Sequence, residues 1–379
     1  MWLLQVLSSC MNGRNNFMKH SYDHDDDRYY EKDNKEQKRN RKALEKKDRS
    51  KFKKTDIFQK EKLSKEEKEH LAIGRVISIE SEGAILFEEQ TQTYFQAAVK
   101  GSLKYETSQE KNLLTIGDFV YFEKLPSLQG HIVEVLERQS TLYRADNFSR
   151  RKMHLIAANI DQVLITVSCV HPALKTALID RYIIAAIRGN MQPIVLITKI
   201  DLVEKDESIK AIIDEVITTY QNLGYTTIGI STVTLQGIDQ LKEVMKGKSS
   251  VFSGQSGVGK TSLINLLTGH DFKTQEIIEK TMKGSHTTTK AHLVPLTCSG
   301  FCIDTPGIRS FGMWDLKKEE IQQYFKEIEE QKKKCKFSNC THINEPGCAV
   351  MKAVEKGKIA FFRYESYLAL MNEENPLEY

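Results

Sequence analysis

The chain has no run of about 18 apolar residues, the length that a membrane-spanning helix needs. Its apolar start, Met1 to Leu7, lacks basic residues and is too short for a secretory signal peptide. The acid-rich stretch from Asp23 to Asp27 argues against an organelle transit peptide. We therefore expect no membrane segment and a cytoplasmic location.

Cysteine is scarce and unevenly spread along the chain. There are seven, an odd number, and three of them fall in one short C-terminal stretch. This distribution does not suit a disulfide framework and favours a reducing compartment with a metal site. The other four are isolated and are interpreted as packing or surface residues: Cys10, Cys169, Cys298 and Cys302.

Positive charge is concentrated near the N-terminus. The net charge is only +4, but residues 35–65 contain 14 Lys or Arg against 5 Asp or Glu. Few aliphatic residues and no apolar period predict that this stretch is disordered or loosely helical, and residues 1–67 together are predicted to be a charged, disordered tail. Two interpretations of the tail stay open, a solvated segment or one that adds electrostatic affinity for RNA.

The 379 residues suffice for about two to three domains. Five β-rich runs in residues 68–139 favour a small OB-type barrel, with a three-stranded packing module as the alternative. Residues 140–155 are predicted to be a basic linker, and residues 156–315 alternate strands and helices as in an open parallel sheet. Residues 316–379 are predicted to be helical around the cysteine cluster, with one charged helix from Leu316 to Lys334 before it and two further helices, Ala349 to Glu355 and Phe361 to Met371, after it.

The strongest motif is a glycine-rich loop between an apolar strand and a predicted helix. It matches the phosphate-binding P-loop, G-x-x-x-x-G-K-[ST], with Gly254, Gln255, Ser256, Gly257, Val258, Gly259, Lys260 and Thr261. Glycines let the backbone curl so that its N–H groups face phosphate oxygens. Lys260 is predicted to bridge the β- and γ-phosphates and Thr261 to bind Mg²⁺, with Ser262 beside them. The alternative is a chance glycine-rich turn.

A second motif, Thr198-Lys199-Ile200-Asp201, corresponds to the guanine-recognition motif N-K-x-D. Asp201 can accept from guanine N1–H and the exocyclic amine together, a donor pair that adenine lacks. Lys199 is expected to lay its stem along the base. Thr198 replaces the usual Asn, and one hydroxyl cannot make all the hydrogen bonds of an amide, so weaker binding is expected.

Two further segments are assigned to the nucleotide. Ser231-Thr232 follows the next strand and is predicted to offer backbone N–H groups to guanine O6, with an ordinary turn as the alternative. Asp304-Thr305-Pro306-Gly307 matches D-x-x-G, so Asp304 should face Mg²⁺ and the Gly307 N–H the γ-phosphate. Ile308 follows where many GTPases carry a water-orienting Gln, so slow intrinsic hydrolysis is expected unless another group supplies that function.

Between these motifs, Gly284-Ser285-His286-Thr287-Thr288-Thr289 occupies the position of switch I. Thr288 is predicted to reach Mg²⁺ and the γ-phosphate, although Thr287 and Thr289 remain alternatives. His286 is a candidate for positioning the attacking water, and an exposed loop histidine is the alternative.

The C-terminal cysteine cluster has the spacing Cys335-x₄-Cys340-x-His342-x₅-Cys348. Three thiolates and one imidazole match a closed, four-coordinate structural zinc site, which leaves no position open for catalysis. Unligated buried cysteines are the alternative.

The base-recognition motif precedes the P-loop, the reverse of the usual order, which indicates a circular permutation. With the β-rich region in front and the metal cluster behind, the chain resembles the ribosome small-subunit-dependent GTPases of bacteria. The resemblance runs from about Gly74 to Tyr367. The closest stretches are residues 253–260, 284–289, 304–316, 340–342, 345–350 and 363–367.

The resemblance implies an α/β fold, a circularly permuted P-loop GTPase domain with an N-terminal OB-type β-barrel and a C-terminal zinc-binding helical module. It implies a monomer that uses GTP/GDP, Mg²⁺ and one Zn²⁺, binds the 30S subunit and 16S rRNA, and acts late in small-subunit assembly. The subunit would stimulate hydrolysis, which would time release. The segment after Asp304 would link the nucleotide state to the orientation of the zinc module.

Two rival functions are weighed against this one. The first is an RNA-binding assembly factor whose nucleotide only stabilises the fold, which the missing Gln after Gly307 keeps open. The second is a metal- or membrane-linked transport NTPase, for which the sequence offers neither a membrane segment nor an open metal site.

Overall fold

The computed structural model describes residues 65–80, 83–99, 114–146, 149–268, 292–304 and 316–372. Most of the predicted N-terminal tail therefore lies outside the described residues. Within them, no helix has both the length and the apolar character needed to cross a membrane. A short helix, α1 (Lys65–Glu69), precedes the first strand.

The β-rich region forms a closed five-stranded barrel. The strands are β1 (Ala72–Ile79), β2 (Gly83–Glu88), β3 (Thr93–Val99), β4 (Phe119–Leu125) and β5 (Gln129–Val135), in the order β1-β2-β3-β5-β4. The β3–β5 pair is parallel and the others are antiparallel. Alternate side chains fill the interior, among them Leu86, Phe95 and Phe122. The OB-type prediction is confirmed, and the three-stranded alternative is wrong.

The region predicted as a basic linker contains a β-ribbon. Strands β6 (Thr141–Asp146) and β7 (Ser149–Ala158) pair antiparallel. Leu142 and Ala157, near the open end of this ribbon, are fully buried in the main core. The basic residues in the middle of this region interrupt the apolar pattern from which strands are predicted. Burial of Leu142 and Ala157 stabilises the ribbon.

A six-stranded sheet follows, in the order β10-β9-β8-β11-β13-β12. Its strands are β8 (Gln162–Ser168), β9 (Gln192–Thr198), β10 (Thr226–Ile230), β11 (Ser249–Ser253), β12 (His292–Pro295) and β13 (Phe301–Asp304). All are parallel except β12, which runs antiparallel to β13. Every residue of β8 is buried, as expected for a central strand covered on both faces.

Four helices cover the two faces of this sheet. They are α2 (Thr176–Arg188), α3 (Glu207–Asn222), α4 (Ile238–Met245) and α5 (Lys260–Thr268). Because successive strand residues point to opposite faces, Val163 and Ile165 belong to the core under α2 and α3, while Leu164 belongs to the core under α4 and α5. The Asp206 side chain starts α3 by accepting hydrogen bonds from the N–H groups of Ser208 and Ile209.

The barrel packs on the sheet through a buried cation. The guanidinium of Arg75, on β1, lies 5.0 Å from the Phe119 ring and 5.3 Å from the Phe301 ring of β13, and it donates to the Asn159 carbonyl at 2.6 Å. The rings of Phe87 and Phe301 pack edge to face, 5.6 Å apart. The barrel is thus part of the same core as the sheet.

The single helix predicted from Leu316 to Lys334 is wrong. The chain forms α6 (Lys318–Ile321), a 3₁₀ turn (Gln322–Tyr324) and α7 (Lys326–Lys332). Phe325 interrupts the helix with extended backbone, and its ring is 1 % exposed and packs edge to face on Tyr367. Burial of this aromatic side chain outweighs local helix propensity. Helices α8 (Ala349–Glu355) and α9 (Phe361–Asn372) complete the module, close to the predicted bounds.

The buried carboxylate of Asp118 should be a large contributor to barrel stability. It accepts from the Thr115 N–H at 2.7 Å and from Nε and Nη2 of Arg138 at 2.7 and 2.9 Å. Asp118→Ala leaves these donors without their partner, so the free energy of unfolding should fall by about 3 kcal/mol in denaturant titrations. Asp239→Ala removes an almost fully exposed partner of Lys242 and should cost less than about 1 kcal/mol. Equal losses would contradict the assigned contribution of Asp118.

Candidate nucleotide and metal sites

The predicted nucleotide motifs meet at one edge of the sheet. The base-recognition motif begins at the last residue of β9, the P-loop follows β11, and Asp304 ends β13. These strands are parallel, so their carboxyl ends lie on the same side, where open α/β sheets bind ligands. Strand β8 lies between β9 and β11. The segment that follows β8 therefore lies between the base-recognition loop and the P-loop.

Backbone geometry explains the glycines of the P-loop. Gly254, Gly257 and Gly259 have φ angles of 142°, 80° and 97°, which other residues rarely adopt. A Cβ atom on Gly254 would also lie 2.0 Å from the Thr166 carbonyl oxygen on β8. Helix α5 begins directly after this turn, so its positive end faces the loop. This backbone geometry is compatible with a phosphate cradle, and the binding of phosphate by these residues stays a prediction.

Lys260 lies folded over its own loop. Its Nζ donates to the carbonyl oxygens of Gly254 and Gln255, at 2.7 and 2.5 Å. Both acceptors are neutral, so phosphate oxygens would be stronger partners for the ammonium group. Thr261 and Ser262, in the first turn of α5, are exposed and can reach a ligand from the same end of the helix.

Thr198 links the base-recognition loop to the P-loop. Its side chain is buried, and Oγ1 lies 2.6 Å from the Val258 carbonyl and 3.1 Å from the Val167 carbonyl. A hydroxyl has one proton to donate, and the shorter distance favours Val258. The sequence predicts that Thr198 weakens the site, whereas the geometry shows it joining the two loops directly.

Lys199 contacts a segment that the sequence analysis did not identify. This residue has a left-handed backbone, φ 61°, and its Nζ donates to the carbonyl oxygen of His171. His171 belongs to residues 169–175, which we call the β8–α2 segment. The Ser168 hydroxyl fixes its course by donating to the Pro172 carbonyl at 2.8 Å. A contact made through a backbone carbonyl leaves no side-chain pattern in a sequence.

Asp201 is half-buried beside the same segment. Burial, with a smaller contribution from the nearby negative charge of Asp201, raises the pKa of the Cys169 thiol to about 11. Cys169 also donates its backbone N–H to the Thr198 carbonyl at 3.0 Å. The thiol therefore stays protonated and serves as packing, as the sequence predicts, while its backbone supports the base-recognition loop.

The predicted contact from Ser231 is already engaged within the protein. Its N–H donates to the Gln236 carbonyl at 3.1 Å, and its hydroxyl accepts from the N–H groups of Val233 and Thr234. Ser231 thus shapes the turn after β10, because its side chain satisfies turn donors. Thr232 is the member of the pair that remains assigned to guanine O6.

Several predicted site residues lie outside the described residues. They are the switch I segment Gly284 to Thr289, with His286 and Thr288, and residues 305–315, with Gly307 and Ile308. For Asp304 the backbone alone is described, and it pairs with His292 across the β12–β13 ladder. The assignments of these residues to Mg²⁺ and water remain predictions from the sequence.

The four predicted metal ligands converge in the C-terminal module. The donor atoms of Cys335, Cys340, His342 and Cys348 all lie within 4.8 Å of one another. His342 Nδ1 is 3.6 Å from the Cys335 sulfur and 3.5 Å from the Cys348 sulfur, and these two sulfurs are 4.0 Å apart. In a tetrahedral zinc site with the usual bond lengths, two ligand sulfurs lie about 3.8 Å apart, and a sulfur and a nitrogen lie about 3.6 Å apart. The donor set and its spacing therefore fit zinc.

Charge balance at this cluster also favours a cation. Burial, together with the other two cysteines, raises the pKa of the Cys340 thiol to about 12. Burial lowers the pKa of His342, which keeps its ring neutral and able to bind a metal. Three thiolates this close need a bound cation to offset both the burial and their mutual repulsion.

Neighbouring residues hold the ligand loop in place. His342 Nε2 lies 3.2 Å from Gln322 Oε1, which leaves Nδ1 to face the thiols. The hydroxyls of Tyr364 and Tyr367, on α9, donate to the carbonyls of His342 and Thr341, each at 2.7 Å. These contacts fix the backbone around the histidine ligand from one side.

Glu345 fixes the loop from within. Its carboxylate accepts from the backbone N–H groups of Thr341, Ile343 and Asn344 and from the Thr341 hydroxyl. Partial burial raises the pKa of Glu345, but these hydrogen bonds lower it by more, to about 2. The group is thus ionised at any pH at which cysteine and histidine can bind a metal.

Glu345→Gln should weaken metal binding, because an amide cannot accept all four hydrogen bonds. Loss of such supporting partners typically lowers metal affinity by about 10- to 100-fold. Zinc titration against a chelating indicator measures this, with Glu355→Gln, an exposed substitution on α8, as the control. We expect one zinc per wild-type chain by elemental analysis. An unchanged affinity for Glu345→Gln would show that the ligand loop keeps its shape without the carboxylate.

Comparisons with known proteins agree with this architecture. The sequence profile described as RsgA GTPase matches residues 135–314. "Small ribosomal subunit biogenesis GTPase RsgA" of Bacteroides fragilis is 37% identical over 285 residues, covering 75% of this chain and 91% of that protein. The protein with the same name from Chlorobaculum parvum is 40% identical over 270 residues, covering 69% and 85%.

Solved structures show the same resemblance. YjeQ from Thermotoga maritima aligns with a TM-score of 0.64 and 31% identity, over 79% of this chain and 97% of its own. YloQ, described as a circularly permuted GTPase, aligns with a TM-score of 0.62 and 28% identity, over 82% and 96%. The predicted fold class is confirmed: this chain belongs to the RsgA GTPase family and is an enzyme that hydrolyses GTP.

Proposed function

We propose that this protein acts in the assembly of the small ribosomal subunit, where binding to the 30S particle stimulates its GTP hydrolysis and hydrolysis times its release. The observation that supports this most is the joining of a guanine-type loop to a P-loop through Thr198, in a permuted chain. Relatives with 37% and 40% identity are named small ribosomal subunit biogenesis GTPases. In this proposal 16S rRNA is part of the contact surface.

Each loop has one task in the proposed site. The P-loop N–H groups and Lys260 hold the phosphates, and Lys260 exchanges its two carbonyl partners for phosphate oxygens. Asp201 accepts the two guanine donors, Thr232 faces O6, and Lys199 lies along the base. Thr261 binds the Mg²⁺ that a GTPase uses, with Asp304 and Thr288 assigned to the same ion from the sequence.

Hydrolysis itself needs a group that orients water. Ile308 cannot do this by hydrogen bonding, so the intrinsic rate should be low. His286 is the residue of this chain that we propose for the task, and the ribosomal subunit is the other possible source. Stimulation by the subunit follows from either arrangement, because the bound particle would order switch I or supply the missing group.

The metal in this proposal is one structural zinc. Three cysteines and one histidine fill a tetrahedral shell, so zinc would hold the loop between α7 and α8 without binding substrate. The protein would thereby present a fixed C-terminal surface to its RNA partner.

Lys260→Ala, assayed with and without purified 30S subunits, tests the proposed function. Wild-type turnover should be low alone and rise strongly with subunits. The variant should lose about 100-fold or more of the stimulated rate, because it removes the ammonium group from the phosphate cradle. Lys248→Ala, whose Nζ contacts Gln192 at the opposite end of the sheet, is the control and should keep the stimulated rate. Wild-type turnover that does not respond to subunits would favour the rival function, an assembly factor whose nucleotide only stabilises the fold.

Asp201→Asn tests the assignment of the base reader. An amide cannot accept from both guanine donors as a carboxylate does, so preference for GTP over ATP should fall by about tenfold or more. Competition of GTP, XTP and ATP against a fluorescent GDP measures the preference. The exposed Glu204→Gln, three residues along the same loop, is the matched control. Unchanged selectivity for Asp201→Asn would mean that another residue reads the base.

A further inference from the structure

A buried cluster of charges joins the C-terminal module to the nucleotide-binding sheet. Arg363, on α9, is 2 % exposed. Its Nη1 donates to Asp180 on α2, and its Nε and Nη2 donate to the two carboxylate oxygens of Glu327 on α7, at 2.7 and 3.2 Å. The Tyr220 hydroxyl, on α3, also donates to Asp180, at 2.6 Å. Separating the partners of such a pair would leave a buried charge uncompensated, so the pair constrains where these helices can lie.

Helix α9 also contacts the ligand loop, which carries the predicted metal ligands Cys340 and His342. Tyr364 follows Arg363 directly, and Tyr367 lies one turn further along α9. Their hydroxyls donate to the carbonyls of His342 and Thr341, beside the histidine ligand. The position of α9 and the shape of the ligand loop are therefore mutually dependent.

On its other side, α9 supports the first turn of α2. The Ser366 hydroxyl lies 3.3 Å from the Thr176 hydroxyl at the start of α2, and Arg363 reaches Asp180 one turn later. The β8–α2 segment enters α2 at this point. Its His171 carbonyl accepts from Lys199 Nζ, so the segment that contacts Lys199 runs directly into the helix that α9 supports.

We propose that Arg363 is a positioning residue for guanine-nucleotide binding: by fixing α9 on α2, it links the Cys₃His loop to the β8–α2 segment and Lys199. Metal and guanine nucleotide then bind with positive coupling. The proposal rests on the proposed assignments of the base-recognition loop and the zinc ligands. By linkage, the factor by which zinc raises GDP affinity equals the factor by which GDP raises zinc affinity.

The coupling is measured on the full chain in two directions. The Kd of a fluorescent GDP is determined with zinc bound and after zinc is removed by a chelator. The apparent zinc affinity is determined by competition with an indicator dye, with and without saturating GDP. In the wild type we expect both factors to agree and to be about five or more.

Arg363→Met should bring both factors to within about twofold of one, because it removes the charged link between the helices. Arg138→Met is the matched control, since Arg138 also makes a two-point contact with a buried aspartate, Asp118, but does so beside the barrel. The control should lose stability and keep the wild-type coupling. A merely structural role for Arg363 would lower the thermal midpoint and leave both factors unchanged, and that result would overturn the proposal.

Tyr364→Phe provides a second, milder interruption if Arg363→Met does not fold. It removes one hydroxyl, cuts the contact to the His342 carbonyl and keeps the ring. In this variant the logarithm of the coupling factor between zinc and GDP should fall to half of the wild-type value or less. A coupling factor equal to that of the wild type would count against the path through α9. A wild type whose GDP affinity does not respond to zinc would overturn the proposal outright. Failure of the base-loop assignment would appear separately, as a wild type that binds GDP and ADP equally well.

Discussion

The hydrogen bond from the Thr198 hydroxyl to the Val258 carbonyl is the contact on which the nucleotide site depends most directly. It is 2.6 Å long and buried, and it joins the end of β9 to the P-loop across the intervening strand β8. The distance between the proposed base-recognition loop and the P-loop is thereby set within the protein before any ligand binds, and preorganisation of this kind reduces the entropic cost of binding. The usual Asn would offer two donors where Thr offers one. The single proton of Thr198 is directed to the bond between the loops, so its hydroxyl has no further proton to donate to a ligand.

Both added modules pack against the same face of the nucleotide domain. Ile77 and Phe87 of the barrel, and Phe325 and Tyr367 of the C-terminal module, belong to the same hydrophobic cluster as the α2–α3 face of the sheet. The cluster under α4 and α5 is built from the sheet, these helices and the chain near β12 and β13. Close-packed interiors have little room to adjust locally. A shift of a strand or helix in this shared core is therefore passed on to both modules. The short strand β13 is the point where the barrel, through Phe301, meets the chain that carries Asp304.

Much of the fold was predictable because its signals are local. The P-loop follows from glycine spacing between an apolar strand and a helix, and the barrel from five short β-rich runs. Helix α8 has the predicted bounds, Ala349–Glu355. The features that were not predicted depend on tertiary contacts. Burial of Phe325 divides the charged helix, and burial of Leu142 and Ala157 turns a basic stretch into a ribbon. In the site, the side chain of Ser231 serves its own turn, and the contact between Lys199 and His171 uses a backbone carbonyl. The backbone contact has no signature in the sequence, whereas the turn at Ser231 is the alternative that the sequence leaves open.

The buried charges around Arg363 also limit how the C-terminal module can respond to nucleotide. The sequence suggests that a switch segment after Asp304 could reorient this module. Rotation of α9 away from α2 would separate Arg363 from Asp180, and burial already raises the pKa of that carboxyl against the opposing effect of Arg363. Leaving either partner buried and unpaired costs about 3–5 kcal/mol, more than a small change in loop packing can supply. A nucleotide-driven motion that preserves this pair must carry α2 and α9 together. The start of α2 then moves with the metal loop, and the held position of Lys199 moves with it, so that the base-recognition loop and the C-terminal surface change as one unit.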